Sequence, residues 1–137
     1  MSASFTLDPR LAADSVAVAS LGLSDLRLMN DARFAWLLLI PRRAGMAEII
    51  EMGKPDRAAL FEEIVATMTA LKAATGCDKL NVAALGNRVR QLHVHVIARF
   101  AGDAAWPDPV WGAGAAVAYE PQARDRLIAD LAAALAP

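Results

Sequence analysis

The chain has 137 residues, enough for one domain with a hydrophobic core and too few for two ordinary ones, so we expect a single domain over residues 1–137. Fourteen basic and fifteen acidic residues leave a formal charge of −1, which predicts neither a nucleic-acid partner nor binding to an anionic membrane. The one cysteine, Cys77, cannot form an intramolecular disulfide, and the N-terminus lacks the pattern of a secretory signal. Both observations favour a cytoplasmic protein.

The first third of the chain alternates in the manner of β-strands. Residues 9–14 suit a helical turn, after which SVAVASL (15–21) and LSDLRLMN (23–30) predict an antiparallel hairpin broken at Gly22. FAWLLLIP (34–41) predicts a buried strand, because its apolar run is far shorter than the roughly 20 residues that span a bilayer as a helix.

The clearest helix of the sequence follows, opened by Pro55 and stopped by Gly76. Its apolar positions recur at spacings of three and four and predict one stripe. The stripe consists of Leu60, Phe61, Ile64, Val65, Met68 and Leu71.

The last part of the chain predicts a second hairpin, a loop and a helix. KLNVAAL (79–85) and VRQLHVHVIARF (89–100) read as antiparallel strands joined by the turn LGN. Residues 101–114 are rich in glycine, proline and tryptophan and predict an irregular loop, and Glu120 with Pro121 opens an amphipathic C-terminal helix.

This order of elements predicts an α+β domain with a mostly antiparallel sheet of about five strands, one long helix and a C-terminal helix. Hydrophobic residues make up 56% of the chain. Such a surplus is more than a small core requires, so we expect part of it to cover the interface of a homodimer.

The stretch QLHVHVI (91–97) contains both histidines of the chain. In a strand, Gln91, His93 and His95 point to one face and the apolar residues between them to the other. The apolar face belongs to the core. The two imidazoles are therefore expected on a cleft-facing side, about 7 Å apart.

Three interpretations of the pair follow from the residues. Both histidines can be structural, partly buried and hydrogen-bonded. They can bind a metal ion, although a third ligand would have to come from Cys77 or a carboxylate, and none stands at a familiar spacing. They can act on phosphate, one imidazole attacking phosphorus while the other steadies the developing charge. Asn87 and Gln91 extend the polar strip and favour the phosphate interpretation.

The stretch NRVRQLHVHVIAR (87–99) resembles the signature of the histidine triad (HIT) family, in which three histidines alternate with apolar residues after a glycine and an amide. The match extends over residues 86–99, and the element order is similar to the family's fold over most of the chain. The resemblance implies a HIT-like fold, a homodimer and a function like that of the diadenosine polyphosphate hydrolases.

By this resemblance His93 is the nucleophile that attacks the α-phosphorus of a nucleotide derivative and forms a nucleotidyl-histidine, which water hydrolyses. His95 matches the histidine that contacts phosphate oxygens, and Asn87 matches the amide that helps to hold the phosphate. Asn30 stands where the family places a ribose-binding residue, and Asn81 is a candidate for the same cleft.

Two departures from the family pattern stand out. Gln91 replaces the first histidine of the triad, but the family uses the backbone carbonyl at this position to orient the nucleophile, and a carbonyl survives substitution. FAW (34–36) replaces the proline, glycine and histidine of many members. In the loop, Trp106 and Trp111 can stack on a base, cover a dimer cleft or simply pack the loop onto the sheet.

The sequence thus predicts a hydrolase acting on a dinucleoside polyphosphate, such as diadenosine tetraphosphate, or on a nucleoside phosphoramidate. No cofactor is implied, because the covalent step needs no metal. Two alternatives remain: a non-catalytic nucleotide-binding protein of the same fold, and a metal-dependent enzyme with His93 and His95 as ligands.

Overall fold

The computed structural model describes residues 4–137, and its elements follow the predicted order. There are three α-helices, five β-strands and one short 3₁₀ turn in this part of the chain. They are α1 (Pro9–Asp14), β1 (Ser15–Ser20), β2 (Ser24–Met29), β3 (Ala35–Pro41), the 3₁₀ turn (Ile49–Glu51), α2 (Lys54–Thr75), β4 (Lys79–Ala83), β5 (Val94–Arg99) and α3 (Pro121–Ala134).

The five strands form one antiparallel sheet in the order β1-β2-β3-β5-β4, which confirms the predicted α+β class. Strand β5 lies inside the sheet between β3 and β4. His95 is paired with Leu38 on one side and with Ala83 on the other. A side chain on β5 is therefore held by hydrogen-bonded backbone from two directions.

Helices α2 and α3 cover one face of the sheet. An apolar cluster lies between the two helices and the sheet. Leu26 and Leu28 of β2 belong to it, and so do Val94 and Val96 of β5, as strand alternation predicts. Gly76 ends α2 in the left-handed region at φ 66°, where a residue without a Cβ carries no steric penalty. This face is the larger core, and it fixes the position of β5.

The opposite face is covered by α1 and by the loop of residues 100–120. Leu38 and Ile97 contribute to a second apolar cluster there, together with Leu11 from α1 and Val110 from the loop. Arg33 ties the loop to the sheet, since its guanidinium donates to the carbonyl of Ala113 at 2.6 Å. A loop covers a sheet less completely than a helix does, and cavities lie on this side.

The second predicted hairpin is wrong in its bounds. Strand β4 ends at Ala83 and β5 begins only at Val94, so residues 84–93 form a loop instead of extended strands. Gly86 turns the chain at φ 74°. The backbone N–H of Leu92 donates to the carbonyl of Met46, outside the sheet, at 2.9 Å. The predicted polar strip on one strand is therefore replaced by a loop that leads into β5.

The apolar stripe of α2 is only partly used within the chain. Leu60 and Leu71 are buried, whereas Phe61 is 63% exposed and Val65 is 42% exposed. In the described residues, 4–137, none of the helices has the length and apolar character needed to cross a membrane.

Candidate active site at the histidine pair

A cavity of about 520 Å³ opens on the loop-covered face, where β5 begins. His93 and His95 form part of its wall, and Asn87 lies on the same wall in the loop of residues 84–93. The rest of the lining comes from α1, from the end of β2, from β3 and from the loop that carries Trp111. The structure thus brings both histidines and one of the three predicted asparagines together.

His93 immediately precedes β5, and its side chain is 7% exposed. Its ring nitrogen Nδ1 lies 2.7 Å from the backbone carbonyl of Gln91. Because a carbonyl oxygen only accepts, Nδ1 of His93 is the donor and carries the proton. In the neutral ring the lone pair is then on Nε2, which is the form of imidazole that can attack phosphorus.

His95 is the second residue of β5 and is 5% exposed. The indole N–H of Trp36 donates to Nδ1 of His95 at 2.9 Å. The ring of Trp111 lies edge-on at 5.0 Å between centroids. Burial, together with the nearby His93, lowers the pKa of His95 to about 4, so the ring is neutral at physiological pH.

The two imidazoles are closer together than strand geometry predicts. Their ring centroids are 4.9 Å apart with an interplanar angle of 67°, instead of about 7 Å apart as neighbours on one strand face. The strand value describes the backbone spacing of residues i and i+2, whereas the distance between two rings also depends on the side-chain rotamers, and the ring of His93 is held by the Gln91 carbonyl. Within the described residues no group of three His, Cys, Asp or Glu side chains is placed to hold a metal ion.

The side chain of Gln91 does not line the cavity. Its Oε1 accepts the backbone N–H of Asp8 at 2.8 Å, and its Nε2 donates to the carbonyl of Thr6 at 2.8 Å. Gln91 is hydrogen-bonded to the histidine pair through its backbone carbonyl. The side chain instead fixes the segment that leads into α1, from which Leu11 and Asp14 reach the cavity wall.

The predicted asparagines are separated by the fold. Asn87 lines the cavity and is exposed. Asn30 lines an adjoining cavity of about 380 Å³, and its Oδ1 accepts the backbone N–H of Tyr119 at 3.1 Å. Asn81 is not part of either wall, because its Oδ1 accepts a hydrogen bond from Arg99 at 2.9 Å.

The two loop tryptophans have different positions. Trp111 lines both adjoining cavities and is 36% exposed, so it can meet a ligand. Trp106 packs over the guanidinium of Arg99 at 5.7 Å and lies outside the cavity wall. Sequence reasoning missed Trp36 as a site residue. The signal was present, since FAW departs from the family pattern at this residue.

Cys77 is a free, buried thiol in the larger core, as expected of a small apolar side chain.

Comparison with protein families matches the HIT domain to residues 10–102. Among solved structures, a histidine triad protein from Bradyrhizobium japonicum is 44% identical with a TM-score of 0.96, and the match covers 97% of this chain and 99% of that one. A histidine triad protein from Sinorhizobium meliloti is 47% identical, with a TM-score of 0.93 and coverage of 96% and 97%. One from Marinobacter aquaeolei is 41% identical, with a TM-score of 0.94 and coverage of 97% of both chains. Comparison with curated proteins gives no match.

The five-stranded sheet and its covering helices define a fold used for nucleotide binding and hydrolysis. With a family match over more than half of its length and relatives above 40% identity, the chain belongs to the HIT family.

Proposed function

We propose that the protein is a cytoplasmic nucleotide hydrolase whose single HIT domain, residues 1–137, cleaves at the α-phosphate of its substrate through a nucleotidyl-histidine on His93. One observation carries the proposal. The carbonyl of Gln91 binds Nδ1 of His93 at 2.7 Å, which leaves Nε2 as the nitrogen without a hydrogen bond in a histidine that lines a cavity of about 520 Å³. This arrangement suits a nucleophile and is what the family resemblance implies for the position of Gln91.

The reaction proceeds in two displacements. Nε2 of His93 forms a bond to the α-phosphorus while the bond from phosphorus to the leaving group breaks, and the leaving group takes the bonding pair. The ring becomes an imidazolium, whose Nδ1 proton is stabilised by the Gln91 carbonyl. A water oxygen then bonds to the same phosphorus while the bond from phosphorus to Nε2 breaks and its electron pair returns to His93. The water loses a proton to solvent, the departed leaving group takes one from solvent, and the product is a nucleoside monophosphate. None of these steps uses a cofactor or nucleic acid.

The charge of the cavity wall favours a nucleoside phosphoramidate over a dinucleoside polyphosphate. Among the described residues that line the cavity, Arg88 is the one cation, and Asp14 is the one carboxylate. Arg42 and Arg43 are engaged elsewhere, in ion pairs with Asp25 and Asp56. A chain of four phosphates would meet little compensating charge, whereas a single phosphoramidate phosphorus carries about one negative charge.

The experiment compares the unmodified protein with His93→Ala on an adenosine phosphoramidate and on diadenosine tetraphosphate, with and without chelator. Chelator-resistant turnover that disappears in the variant, while nucleotide affinity is kept, supports the covalent route. Faster cleavage of the phosphoramidate supports the charge argument. Turnover that survives in His93→Ala contradicts the proposal.

A second candidate is a nucleotide-binding protein without turnover. The observation in its favour is that the Gln91 side chain is turned away from the cavity toward Thr6 and Asp8, so the site holds two imidazoles instead of three. Nucleotide binding without hydrolysis of either substrate would support it. A third candidate is a metal-dependent enzyme. In that case a chelator should lower both the metal content and the turnover.

The protein is further proposed to be a homodimer through α2 and β4. Val65, Met68 and Leu80 line an apolar groove of about 470 Å³ between these elements, and Phe61 is exposed beside it on α2. Phe61→Asp is expected to shift the mass in sedimentation analysis toward the monomer. Ile50→Asp, at an apolar residue that is 86% exposed outside the groove, is the matched control and should leave the mass unchanged.

A further inference from the structure

Trp36 and His95 form a buried hydrogen bond between residues 59 apart in the sequence. The donor is the indole Nε1 of Trp36 and the acceptor is Nδ1 of His95, at 2.9 Å. An indole N–H can only donate, so Nδ1 of His95 must carry a lone pair. A neutral imidazole with this lone pair has its proton on Nε2, and an imidazolium has no lone pair to accept with.

The partner of His93 imposes the opposite tautomer. The Gln91 carbonyl can only accept, so His93 carries a proton on Nδ1, and the neutral form of its ring has the lone pair on Nε2. Two rings 4.9 Å apart are thus fixed in complementary forms. One presents a lone pair from Nε2, and the other presents an N–H from Nε2.

We propose that Trp36 is a positioning residue that holds His95 in the neutral Nε2–H tautomer, so that His95 donates a hydrogen bond to an oxygen of the phosphate attacked by His93. The tautomer follows from the hydrogen bond alone, whereas the donation to phosphate rests on the proposed function. Rotation of the imidazole by half a turn would place a carbon opposite the indole N–H and break the bond. Trp36 therefore fixes both the proton and the orientation of the ring.

The surroundings of His95 reinforce this form. Trp36 on β3, Trp111 in the covering loop and His93 before β5 pack against the ring at 5.7, 5.0 and 4.9 Å between centroids. The charged side chains of the cavity wall are Asp14 and Arg88, and neither is hydrogen-bonded to His95 in the described residues. A carboxylate partner on Nδ1 would favour an imidazolium, and an indole in its place favours the neutral ring.

Nitrogen NMR of histidine-labelled protein tests the tautomer directly, because the chain has only two histidines. At alkaline pH, where imidazoles are neutral, we expect His95 of the unmodified protein to show an unprotonated Nδ1 and a protonated Nε2, and His93 to show the reverse. Trp36→Phe keeps an aromatic ring but removes the donor, so the two His95 resonances should move toward the averaged values of exchanging tautomers. Trp111→Phe is the matched control, since Trp111 contacts His95 without a hydrogen bond, and it should leave the tautomer unchanged.

Activity provides the second readout. Loss of one orienting hydrogen bond in Trp36→Phe should lower kcat about five- to tenfold with KM less affected. A protonated Nδ1 on His95 in the unmodified protein, or unchanged His95 resonances in Trp36→Phe, would overturn the proposal. Absence of hydrolysis with the predicted tautomer intact would overturn the proposed function and the donation to phosphate, while the role of Trp36 in fixing the ring would stand.

Discussion

The two ends of strand β5 bury polar side chains in contrasting ways. At the end of the strand, Arg99 is 2% exposed and donates to the carboxylate of Asp103, to Asn81 and to the carbonyl of Asp108. At its start, His95 is 5% exposed and has one ring nitrogen bonded to Trp36. Four of the five guanidinium N–H groups have partners, whereas each histidine has one nitrogen engaged and one available to the cavity.

This contrast indicates that the Arg99 end of β5 stabilises the fold, whereas the histidine end is available to a ligand. The guanidinium of Arg99 lowers the pKa of Asp103 well below its usual range, and the same carboxylate accepts backbone N–H groups of Phe100, Ala105 and Trp106. Because most donors and acceptors of this network are already hydrogen-bonded within the protein, few of them are available to bind a ligand. It holds the loop of residues 100–120 in place, and that loop carries Trp111 over the histidines.

The largest expected effect is on stability, from Arg99→Met. The substitution leaves the carboxylate of Asp103 buried without its cation and should lower the free energy of unfolding by about 3–5 kcal/mol. Denaturant unfolding measures the loss. Arg99→Met combined with Asp103→Asn is the control, which should recover part of it because no buried charge is left unpaired. A loss below about 1 kcal/mol would mean that the network is not structural.

The converse effect is expected at the other end of the strand. His95→Phe keeps a ring in the same space but removes the N–H proposed to face the phosphate, so kcat should fall by about 10²–10³. The free energy of unfolding should fall by about 1–3 kcal/mol, less than in Arg99→Met, because the apolar ring suits the buried position but the buried indole N–H of Trp36 loses its acceptor. Steady-state kinetics and denaturant unfolding together check the prediction. A kcat within a few-fold of the unmodified value would contradict the assigned role.

A pH dependence of stability should distinguish His95 from the carboxylates. Burial lowers the pKa of His95 from 6.5 to about 4, so between these values the unfolded chain binds a proton that the folded chain does not. Above about pH 6.5 His95 therefore does not lower the free energy of unfolding. As the pH falls from 6.5 toward 4, this group lowers the free energy of unfolding by about 3 kcal/mol. The difference between the unmodified protein and His95→Phe isolates the effect. Equal slopes in both proteins would show that His95 does not titrate in this way.

The smallest effect is expected from Gln91→Ala, which removes two hydrogen bonds to the segment of Thr6 and Asp8 and should cost about 1–2 kcal/mol. KM should rise severalfold, because α1 supplies part of the cavity wall. Since the backbone carbonyl still binds His93, kcat should be almost unchanged. Gln91→Glu keeps the acceptor for the backbone N–H of Asp8, so its free energy of unfolding and its KM should lie between those of the unmodified protein and those of Gln91→Ala. A large fall in kcat would assign the side chain a direct catalytic role.

Periodicity predicted what depends on neighbours in the sequence. The hairpin of β1 and β2, the buried strand β3 and both long helices follow from alternation and from spacings of three and four. The start of β5 could not be found in this way, because apolar and polar residues continue to alternate through the loop of residues 84–93. The point at which a strand stops pairing depends on its partner strands, and the strand's own residues do not specify it.

The same limit applies to the site. The stretch QLHVHVI predicted that His93 and His95 lie together, because only one residue separates them in the sequence. Trp36 reaches His95 across 59 residues through the register of β3 and β5, and Asn81 is drawn to Arg99 by the same register on the β4 side. Contacts of this kind depend on the sheet as a whole, so local patterns do not show them.

The distribution of the three tryptophans makes the protein its own optical probe. Trp36 and Trp111 lie in the cavity wall, whereas Trp106 rests on Arg99 outside it. Indole emission responds to the polarity and to the charge of its surroundings, so two of the three emitters should report the arrival of a ligand. Binding can then be followed by intrinsic fluorescence without a label, even in variants that no longer turn over.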